Sequence, residues 1–236
     1  MPGIAERLAA VDWPGLAASL DSEGYAVLSA VLTAEQCQAL AAAYDRDEHF
    51  RSRVVMERHG FGRGEYKYFA YPLPEAVAGL RTALYPPLAA IANRWSEALG
   101  NPLRYPPDHR AFLERCHASG QTKPTPLLLK YGEGDYNCLH QDLYGEHVFP
   151  LQLTLLLTSP GRDFLGGEFV LTEQRPRMQS RAAVVALGQG DGVVFPVRER
   201  PVEGKSRSYR VNLRHGVSRV QSGRRLTLGI IFHDAR

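Results

Sequence analysis

The chain has 236 residues, a formal net charge of +3, 44% hydrophobic residues and 22% charged residues. This balance is typical of a globular protein with a sizeable core and excludes fibrous and disordered proteins. The sequence has no apolar run of the roughly 18 residues that a membrane helix requires, and residues 1–13 lack the basic and then apolar pattern of a signal peptide. We therefore expect a cytoplasmic protein without a membrane partner, whose oligomeric state the sequence leaves open. Its three cysteines lack C-x-x-C spacing, which indicates free thiols.

The beginning of the chain is predicted to be mainly helical. Residues 4–18 carry apolar side chains at helical spacing, and residues 24–28 have the pattern of a short strand. Thr33 and Gln36 form a capping box that opens a helix ending near Tyr44.

The next segment, residues 50–71, alternates basic with aromatic side chains. Aromatic rings stack on bases and guanidinium groups contact phosphate, so this segment is a candidate lid over a single-stranded or flipped-out nucleotide. Gly60, Gly62 and Gly64 would make it pliable. The alternative is that its aromatic side chains belong to the core and its glycines only form turns. The candidate substrate residues are Arg58, Phe61, Arg63, Tyr66 and Tyr68.

A second helical pattern covers residues 75–99. We expect Pro86 and Pro87 to interrupt it, because proline lacks the amide hydrogen and clashes with the preceding turn.

After Pro126 the pattern changes to short apolar runs separated by glycine and proline, which indicates a sandwich or barrel. The predicted strands are residues 127–131, 151–158, 168–171, 182–187, 192–195, 209–213 and 226–232.

Two of these strands have one apolar and one more polar face. In residues 151–158 the leucines at 151, 153, 155 and 157 share a face, and Gln152 and Thr154 lie on the other. In residues 226–232 the second face carries Thr227 and continues the parity of Arg225. We infer that the N-terminal helices cover the apolar faces and that the polar faces line a barrel interior that holds a ligand.

The sequence contains a candidate metal site. His140 and Asp142 are two residues apart on an extended segment, so their side chains project to the same side. His215, at the end of a late strand, is the candidate third ligand. Two histidines and one carboxylate form the facial triad of non-haem Fe(II) oxygenases, which leaves coordination positions open for catalysis. A His-x-Asp pair alone also arises by chance, and a single histidine is more often hydrogen-bonded than a ligand.

Arg225 strengthens this interpretation. It follows His215 by ten residues and has the interior parity of the last strand, and a buried guanidinium is costly unless a partner such as a carboxylate meets it. We interpret Arg225 as the clamp for the distal carboxylate of 2-oxoglutarate, with Thr227 assisting; the alternative is a structural ion pair. Arg224 has the opposite parity and should face solvent.

Residues 127–234 resemble the double-stranded β-helix core of the Fe(II)/2-oxoglutarate-dependent oxygenases. The order His140-x-Asp142, His215, Arg225 is that superfamily's signature. The resemblance implies a mainly β fold with α-helices, a jelly-roll core, and Fe(II), 2-oxoglutarate and O2 as cofactor and cosubstrates. It implies one catalytic domain over residues 1–236, in which residues 1–125 supply helical support and a substrate lid and residues 126–236 form the core.

Tyr131 and the following residues Gly-Glu-Gly are similar to the AlkB-type nucleic-acid demethylases. The resemblance implies that Tyr131 helps to bind the cosubstrate. Two positions depart from that group: Leu129 replaces an asparagine, and Ile231 replaces a second arginine. The ten-residue spacing between His215 and Arg225 resembles prolyl-hydroxylase-type members instead.

Nearly the whole chain, including residues 56–68, resembles an uncharacterised bacterial family of these oxygenases. That family is described as acting on damaged DNA by oxidative demethylation. The resemblance implies a dioxygenase that hydroxylates C–H bonds with release of succinate and CO2, with an alkylated base of damaged or single-stranded nucleic acid as substrate. The alternatives are a prolyl-hydroxylase-like enzyme acting on protein side chains and a non-catalytic nucleic-acid-binding or sensor protein.

Residues 198–225 are strongly basic, with nine Lys or Arg against two acidic residues. Such a segment could contact phosphate or an acidic small molecule, or it could simply form a solvated face.

Overall fold

The computed structural model describes residues 3–143 and 145–236. The helices of this part are α1 (Ile4–Ala9), α2 (Trp13–Glu23), α3 (Ala34–Ala42), α4 (Glu75–Ala98) and α5 (His109–Ala118). The strands are β1 (Ala26–Leu28), β2 (Phe50–Val55), β3 (Gly62–Arg63), β4 (Glu65–Phe69), β5 (Leu127–Tyr131), β6 (Tyr136–His140), β7 (Leu151–Leu156), β8 (Phe164–Gly166), β9 (Phe169–Gln174), β10 (Arg181–Val185), β11 (Gly192–Pro196), β12 (Glu199–Val202), β13 (Tyr209–Val217), β14 (Val220–Gly223) and β15 (Arg225–Ile230).

Two antiparallel sheets form the body of the protein over these residues. The seven-stranded sheet has the order β1-β11-β7-β15-β5-β4-β2. The six-stranded sheet has the order β10-β9-β13-β6-β3, with β12 paired to β13, and β14 pairs separately with β8. The chain crosses repeatedly between the two sheets, from β5 to β6 to β7 and again from β10 to β11 to β12, which is typical of a jelly roll.

The two sheets pack face to face. Tyr131 and Leu156 of the seven-stranded sheet share a buried cluster with Val217 of the six-stranded sheet. Phe195 packs in the same way against Phe169, with ring centroids 4.9 Å apart. The predicted fold class, a mainly β jelly-roll core flanked by helices, is confirmed.

The helices cover the outer, apolar face of the seven-stranded sheet. The main core cluster joins side chains of all of the described helices to the alternating leucines of β7 and β15. The opposite face of the same two strands carries Gln152, Thr154, Arg225 and Thr227, and these side chains line an internal cavity. The inference from alternation is therefore correct: helices take the apolar faces, and the polar faces turn inward.

The long helix α4 anchors the end of the last strand. Arg81 is 1% exposed and donates hydrogen bonds to the carbonyls of Ile231 at 2.8 Å and His233 at 3.0 Å. It also pairs with the buried carboxylate of Asp234 at 2.8 Å. These contacts fix the end of the chain next to the strand that carries Arg225.

The prediction that Pro86 and Pro87 interrupt a helix is wrong, because α4 runs without a break from Glu75 to Ala98. The residues on both sides of the prolines are buried: Leu84 and Tyr85 before them and Leu88 after them. Burial of this apolar face outweighs the backbone hydrogen bonds that the prolines cannot form. The pattern at residues 4–18 also differs from the expectation of one helix, since the Asp12 side chain caps a new helix by accepting from the Gly15 amide.

Residues 50–71, the candidate lid, are mainly extended rather than helical. They form β2, β3 and β4, and β4 pairs with β5 and extends the seven-stranded sheet. Gly62, with φ of +127°, lies where an added Cβ would collide with the Tyr136 carbonyl, so this glycine permits close strand approach. Tyr66 and Tyr68 lie two residues apart in β4, so both side chains face the internal cavity.

Within the described residues, no helix is long and apolar enough to cross a membrane.

Candidate metal centre

The pairing of β6 with β13 brings the two candidate histidine ligands together. His140 and His215 are direct partners in this antiparallel ladder. Directly paired residues place their side chains on the same face of a sheet, and this face is the interior one. Asp142 follows His140 by two residues and projects toward the same point.

The three side chains converge closely. His140 Nε2 lies 3.5 Å from Asp142 Oδ1, and His215 Nε2 lies 3.3 Å from Asp142 Oδ2. The imidazole centroids are 4.2 Å apart, and one ligand atom from each residue lies within 4.8 Å of the others. Asp142 and His215 are each 8% exposed. The site is therefore a cluster of one oxygen and two nitrogen donors, in which Asp142 and His215 are buried and His140 is partly exposed.

Local hydrogen bonding and charge prepare these groups for a cation. His140 Nδ1 lies 2.8 Å from the Cys138 carbonyl, so Nδ1 donates its hydrogen there and Nε2 faces the cluster, where loss of its own hydrogen would free a lone pair for a metal. Burial raises the pKa of Asp142, but hydrogen bonds from both imidazoles outweigh burial and bring that pKa well below its usual range. Burial lowers the pKa of His215, which keeps this imidazole neutral. An ionised carboxylate with neutral imidazole lone pairs is the form that binds a divalent metal.

The cluster lies in an internal cavity of about 380 Å³ between the two sheets. Aromatic side chains form its wall at His215, where the Phe195 ring centroid is 4.6 Å from the imidazole. The sequence-predicted site residues that line the cavity are His140, Asp142, His215, Arg225, Tyr131, Thr227, Phe61, Tyr66 and Tyr68.

Arg225 is buried in this cavity without an ion-pair partner among the described residues. It is 1% exposed, and its Nε and Nη1 have no hydrogen-bond partner among the described residues. Burial lowers its pKa to about 10, so the guanidinium remains a cation near neutral pH. Neighbouring Arg224 points outward with its side chain 51% exposed and lies 3.7 Å from Asp45, as its parity predicted. An orphaned buried guanidinium fits a bound carboxylate, which supplies two acceptors in one plane.

The surroundings of Arg225 leave room for such a ligand. Tyr131 is its direct cross-strand partner, with the guanidinium carbon 5.6 Å from the ring centroid. The Tyr131 hydroxyl accepts a 3.3 Å hydrogen bond from Asn137 Nδ2, so an amide reaches this tyrosine from β6 rather than from position 129. Gly167, with φ of +65°, leaves space that an added Cβ would take at 2.9 Å from Arg225 Cδ.

The candidate substrate residues separate into two groups. Phe61, Tyr66 and Tyr68 line the cavity, and Phe61 is 48% exposed at its mouth. Arg58 and Arg63 lie outside it: Arg58 is exposed on the turn before β3, and Arg63 Nε is 3.9 Å from Glu57. The aromatic half of the predicted set thus faces the metal cluster and the basic half does not.

The basic segment 198–225 does not form one surface. Arg200 is 1% exposed and pairs with the buried carboxylate of Glu173 at 2.5 Å. Arg225 faces the cavity on the opposite sheet, whereas Arg198 and Arg214 lie at an outer groove. Counting charges along the chain could not separate these positions, because the strand alternation distributes them between interior and exterior.

Sequence reasoning did not single out Gln152 as a site residue. It is 3% exposed, lines the cavity, and its Nε2 has no hydrogen-bond partner among the described residues. The register pairs Thr227 with Leu156 and Gly229 with Thr154, so Gln152 lies at the end of the cavity opposite Arg225. The sequence did contain a signal for this residue, because Gln152 lies on the polar face of β7 that is predicted to point inward.

The Gln152→Leu variant is expected to be more stable than the wild-type protein by about 1 kcal/mol, because an unsatisfied buried donor costs roughly 1–3 kcal/mol. Urea denaturation of the metal-free protein measures this change. Gln141→Leu is the matched control, since Gln141 Nε2 donates to the Leu213 carbonyl at 2.9 Å and its replacement should destabilise the protein. A loss of stability in Gln152→Leu as large as that in Gln141→Leu would contradict the expectation.

Comparison with known proteins places this chain in a family. Residues 64–235 match the Oxygenase-NA family, described as an oxygenase catalysing oxidative methylation of damaged DNA. An uncharacterised protein of Mycobacterium tuberculosis, found in strains H37Rv and CDC 1551, is 50% identical over 168 residues, which cover 71% of this chain and 72% of the relative. The predicted membership of an oxygenase family described as acting on damaged DNA is confirmed.

Solved structures share the fold at low sequence identity. An oxidoreductase of the 2OG-Fe(II) oxygenase family from Burkholderia pseudomallei has a TM-score of 0.54 and 16% identity, covering 96% of this chain and 94% of that chain. A Pseudomonas putida prolyl-4-hydroxylase has a TM-score of 0.53 and 16% identity, covering 95% of this chain and 99% of that chain. The fold is that of these oxygenases, and the sequence match over residues 64–235 shows that the chain belongs to the Oxygenase-NA family and is an oxygenase.

Proposed function

We propose that the protein is an Fe(II)- and 2-oxoglutarate-dependent dioxygenase that hydroxylates C–H bonds with release of succinate and CO2. The observation that carries this proposal is the convergence of His140, Asp142 and His215 in one cavity with the unpartnered Arg225. These are the donors that a ferrous ion and a dicarboxylate require.

The donor set fits a catalytic iron site. Two imidazoles and one carboxylate on one side of an octahedral ion leave three positions for a bidentate cosubstrate and O2. When bound, Fe(II) would activate O2, and the oxidation of 2-oxoglutarate to succinate and CO2 would supply two of the four electrons that O2 accepts, the other two coming from the hydroxylated C–H bond. His140, Asp142 and His215 would hold the metal, and the hydrogen bond from His140 Nδ1 to the Cys138 carbonyl orients one ligand.

The cosubstrate would extend from the metal cluster toward Arg225. The guanidinium would donate its free Nε and Nη1 hydrogens to the distal carboxylate, and Tyr131 and Thr227 flank that position on the same interior face. The apolar side chains of Leu129 and Val217 exclude water from the space between.

The substrate would approach from the opposite side, where Phe61, Tyr66 and Tyr68 meet the cavity. Tyr66 and Tyr68 contact each other edge to face with ring centroids 5.4 Å apart. The two rings offer an aromatic surface on which a flat nucleobase can pack. We propose an alkylated nucleobase as the substrate, and oxidative removal of its methyl group as the reaction. The family description supports a nucleic-acid substrate, whereas the likeness to prolyl-4-hydroxylase extends only to the fold.

An intact site argues against the non-catalytic alternative. A protein that only bound nucleic acid would have no use for the buried Arg225 guanidinium. Such a group destabilises the fold unless a ligand such as a carboxylate pairs with it. All three candidate metal ligands are present, and they line the same cavity as Arg225.

Anaerobic titration of the protein with Fe(II) in the presence of 2-oxoglutarate tests the proposal. We expect a metal-to-ligand charge-transfer band that saturates at one iron per chain, followed by succinate release when O2 is admitted. Formaldehyde release from methylated oligonucleotides then tests the substrate. Iron binding without a 2-oxoglutarate-dependent band would contradict the proposed cofactor use, and succinate without formaldehyde would contradict the proposed substrate.

A further inference from the structure

A groove on the outer face of the six-stranded sheet lies next to the metal cavity. It encloses about 710 Å³. Leu139, Gln141 and Leu143 line both spaces. The segment that carries His140 and Asp142 therefore forms the wall between the groove and the cavity.

The floor of this outer groove is the outward face of β9 and β13. Asn212 and Arg214 are exposed on this outward face, whereas the next residue, His215, points inward and is buried. Their cross-strand partners on β9 are Gln174 and Thr172. The floor is therefore a row of amide, hydroxyl and guanidinium groups that can donate hydrogen bonds.

The wall is fixed to this floor. Gln141 Nε2 donates to the Leu213 carbonyl at 2.9 Å and to the Arg198 carbonyl at 3.2 Å. The position of the outer groove is thus coupled to the segment that holds the two metal ligands His140 and Asp142.

The outer groove is positively charged. Arg198 and Arg214 line it, and no Asp or Glu does among the described residues. Arg214 makes no ion pair within the described part of the chain. Arg198 Nε is 3.7 Å from Glu199 Oε2, but the other oxygen of Glu199 takes a shorter 2.9 Å contact from Arg210. Both groove arginines thus retain most of their donors for a ligand.

Three basic residues of the segment 50–71 have close partners of their own, by contrast. Arg53 pairs with Glu65, and Lys67 pairs with Asp47 at 2.6 Å. Arg51 Nε donates to the Pro124 carbonyl at 2.9 Å. Arg51, Arg53 and Lys67 therefore have fewer free donors for a ligand than Arg198 and Arg214 of the outer groove.

We infer that the outer groove binds the phosphodiester backbone of a single-stranded nucleic acid, with Arg198 and Arg214 contacting phosphates while one base passes Leu139 and Leu143 into the metal cavity. This inference rests on the proposed function, since it assigns the strand whose base is the substrate. Arginine meets phosphate through two parallel N–H donors, and Thr, Asn and Gln side chains supplement such contacts.

The wall suits the base that must cross it. Leu139 is 44% exposed and Leu143 is 47% exposed, so they present apolar surface between the charged groove and the cavity. Apolar side chains contact the faces of unstacked bases, while the backbone stays with the cations. The charged outer groove thus lies where the phosphates of a single strand would bind, and the apolar wall lies where its base would pass.

Binding of a fluorescein-labelled oligothymidylate to the full chain, followed by fluorescence anisotropy over a range of salt concentrations, tests the inference. We expect the double variant Arg198→Gln/Arg214→Gln to raise Kd at least about tenfold at low salt. Each phosphate contact on a single strand contributes about 0.7 to the slope of log Kd against log salt, so the slope should fall by about 1.4.

Two further variants separate phosphate contact from other causes. Arg214→Lys keeps the charge and should retain most of the affinity and salt dependence. Arg110→Gln removes one charge from the exposed face of α5, where its side chain is 87% exposed, and should leave Kd within about twofold of wild type. Equal losses in Arg110→Gln and in either groove variant would overturn the inference, as would an unchanged Kd in the double variant. Equally strong competition by a polyglutamate peptide would assign the groove to an acidic protein segment instead.

Thermal stabilisation of the wild-type chain by Mn(II) and 2-oxoglutarate, measured without oligonucleotide, distinguishes the inference from the proposed function. Stabilisation together with groove-independent oligonucleotide binding refutes only the groove. Groove-dependent oligonucleotide binding without that stabilisation supports the groove and refutes the proposed cofactor use.

Discussion

The Asp142→Ala variant is expected to lose succinate formation to below detection while remaining folded. Asp142 is the only carboxylate in the cluster, and it lies 3.5 Å from His140 Nε2 and 3.3 Å from His215 Nε2. Loss of a partner outside the ligand set already lowers metal affinity about 10–100-fold, so loss of the anionic ligand itself should exceed that range. Iron binding by anaerobic titration and succinate by chromatography measure the two effects.

The fold should tolerate this change. Asp142 is 8% exposed, and removing a buried charge also removes the cost of burying it. We expect the melting temperature of the metal-free variant to stay within a few degrees of wild type. Glu133→Ala is the matched control, because Glu133 is an exposed carboxylate in the turn before β6 and should keep full activity. Turnover at the wild-type rate in Asp142→Ala would refute the metal assignment.

The β core was predictable because its apolar runs are short and two of its strands have one apolar and one more polar face. The leucines at 151, 153, 155 and 157 and those of β15 bury one face under the helices, so the parity of Arg225 determined its interior position. The same two-residue periodicity predicted that the side chains of His140 and Asp142 project to one side. What no local pattern contains is the ladder that sets His215 opposite His140, since it depends on pairing between strands far apart in sequence.

Elements governed by long-range packing were predicted less well. Local rules break a helix at Pro86, but packing of Leu84 and Leu88 against the core preserves it. The glycines at 60, 62 and 64 predict a pliable segment, whereas pairing with β6 makes residues 62–63 a short strand. The unpartnered amide of Gln152 also requires the three-dimensional structure, because a sequence shows side-chain parity but not which hydrogen bonds are satisfied.

The Arg225→Met variant is expected to bind 2-oxoglutarate about 100-fold more weakly than the wild-type protein. A hydrogen-bonded pair with a charged partner contributes about 3 kcal/mol, which corresponds to about 100-fold in Kd. Competing explanations are limited, because Arg225 Nε and Nη1 contact no other acceptor among the described residues. Arg224→Met provides the control: its side chain is 51% exposed on the outer face and should leave 2-oxoglutarate affinity unchanged.

Stability should change in the opposite direction to affinity. Methionine fills a similar volume without a charge, and replacing an uncompensated buried cation with an apolar side chain stabilises a protein. The metal-free Arg225→Met variant should therefore melt at a higher temperature than wild type, while the stabilisation that 2-oxoglutarate adds in the presence of Mn(II) should nearly disappear. Thermal denaturation with and without 2-oxoglutarate measures both quantities. If the metal-free variant melted lower and kept its response to 2-oxoglutarate, Arg225 would be a structural residue, and the carboxylate clamp would have to be sought elsewhere in the cavity.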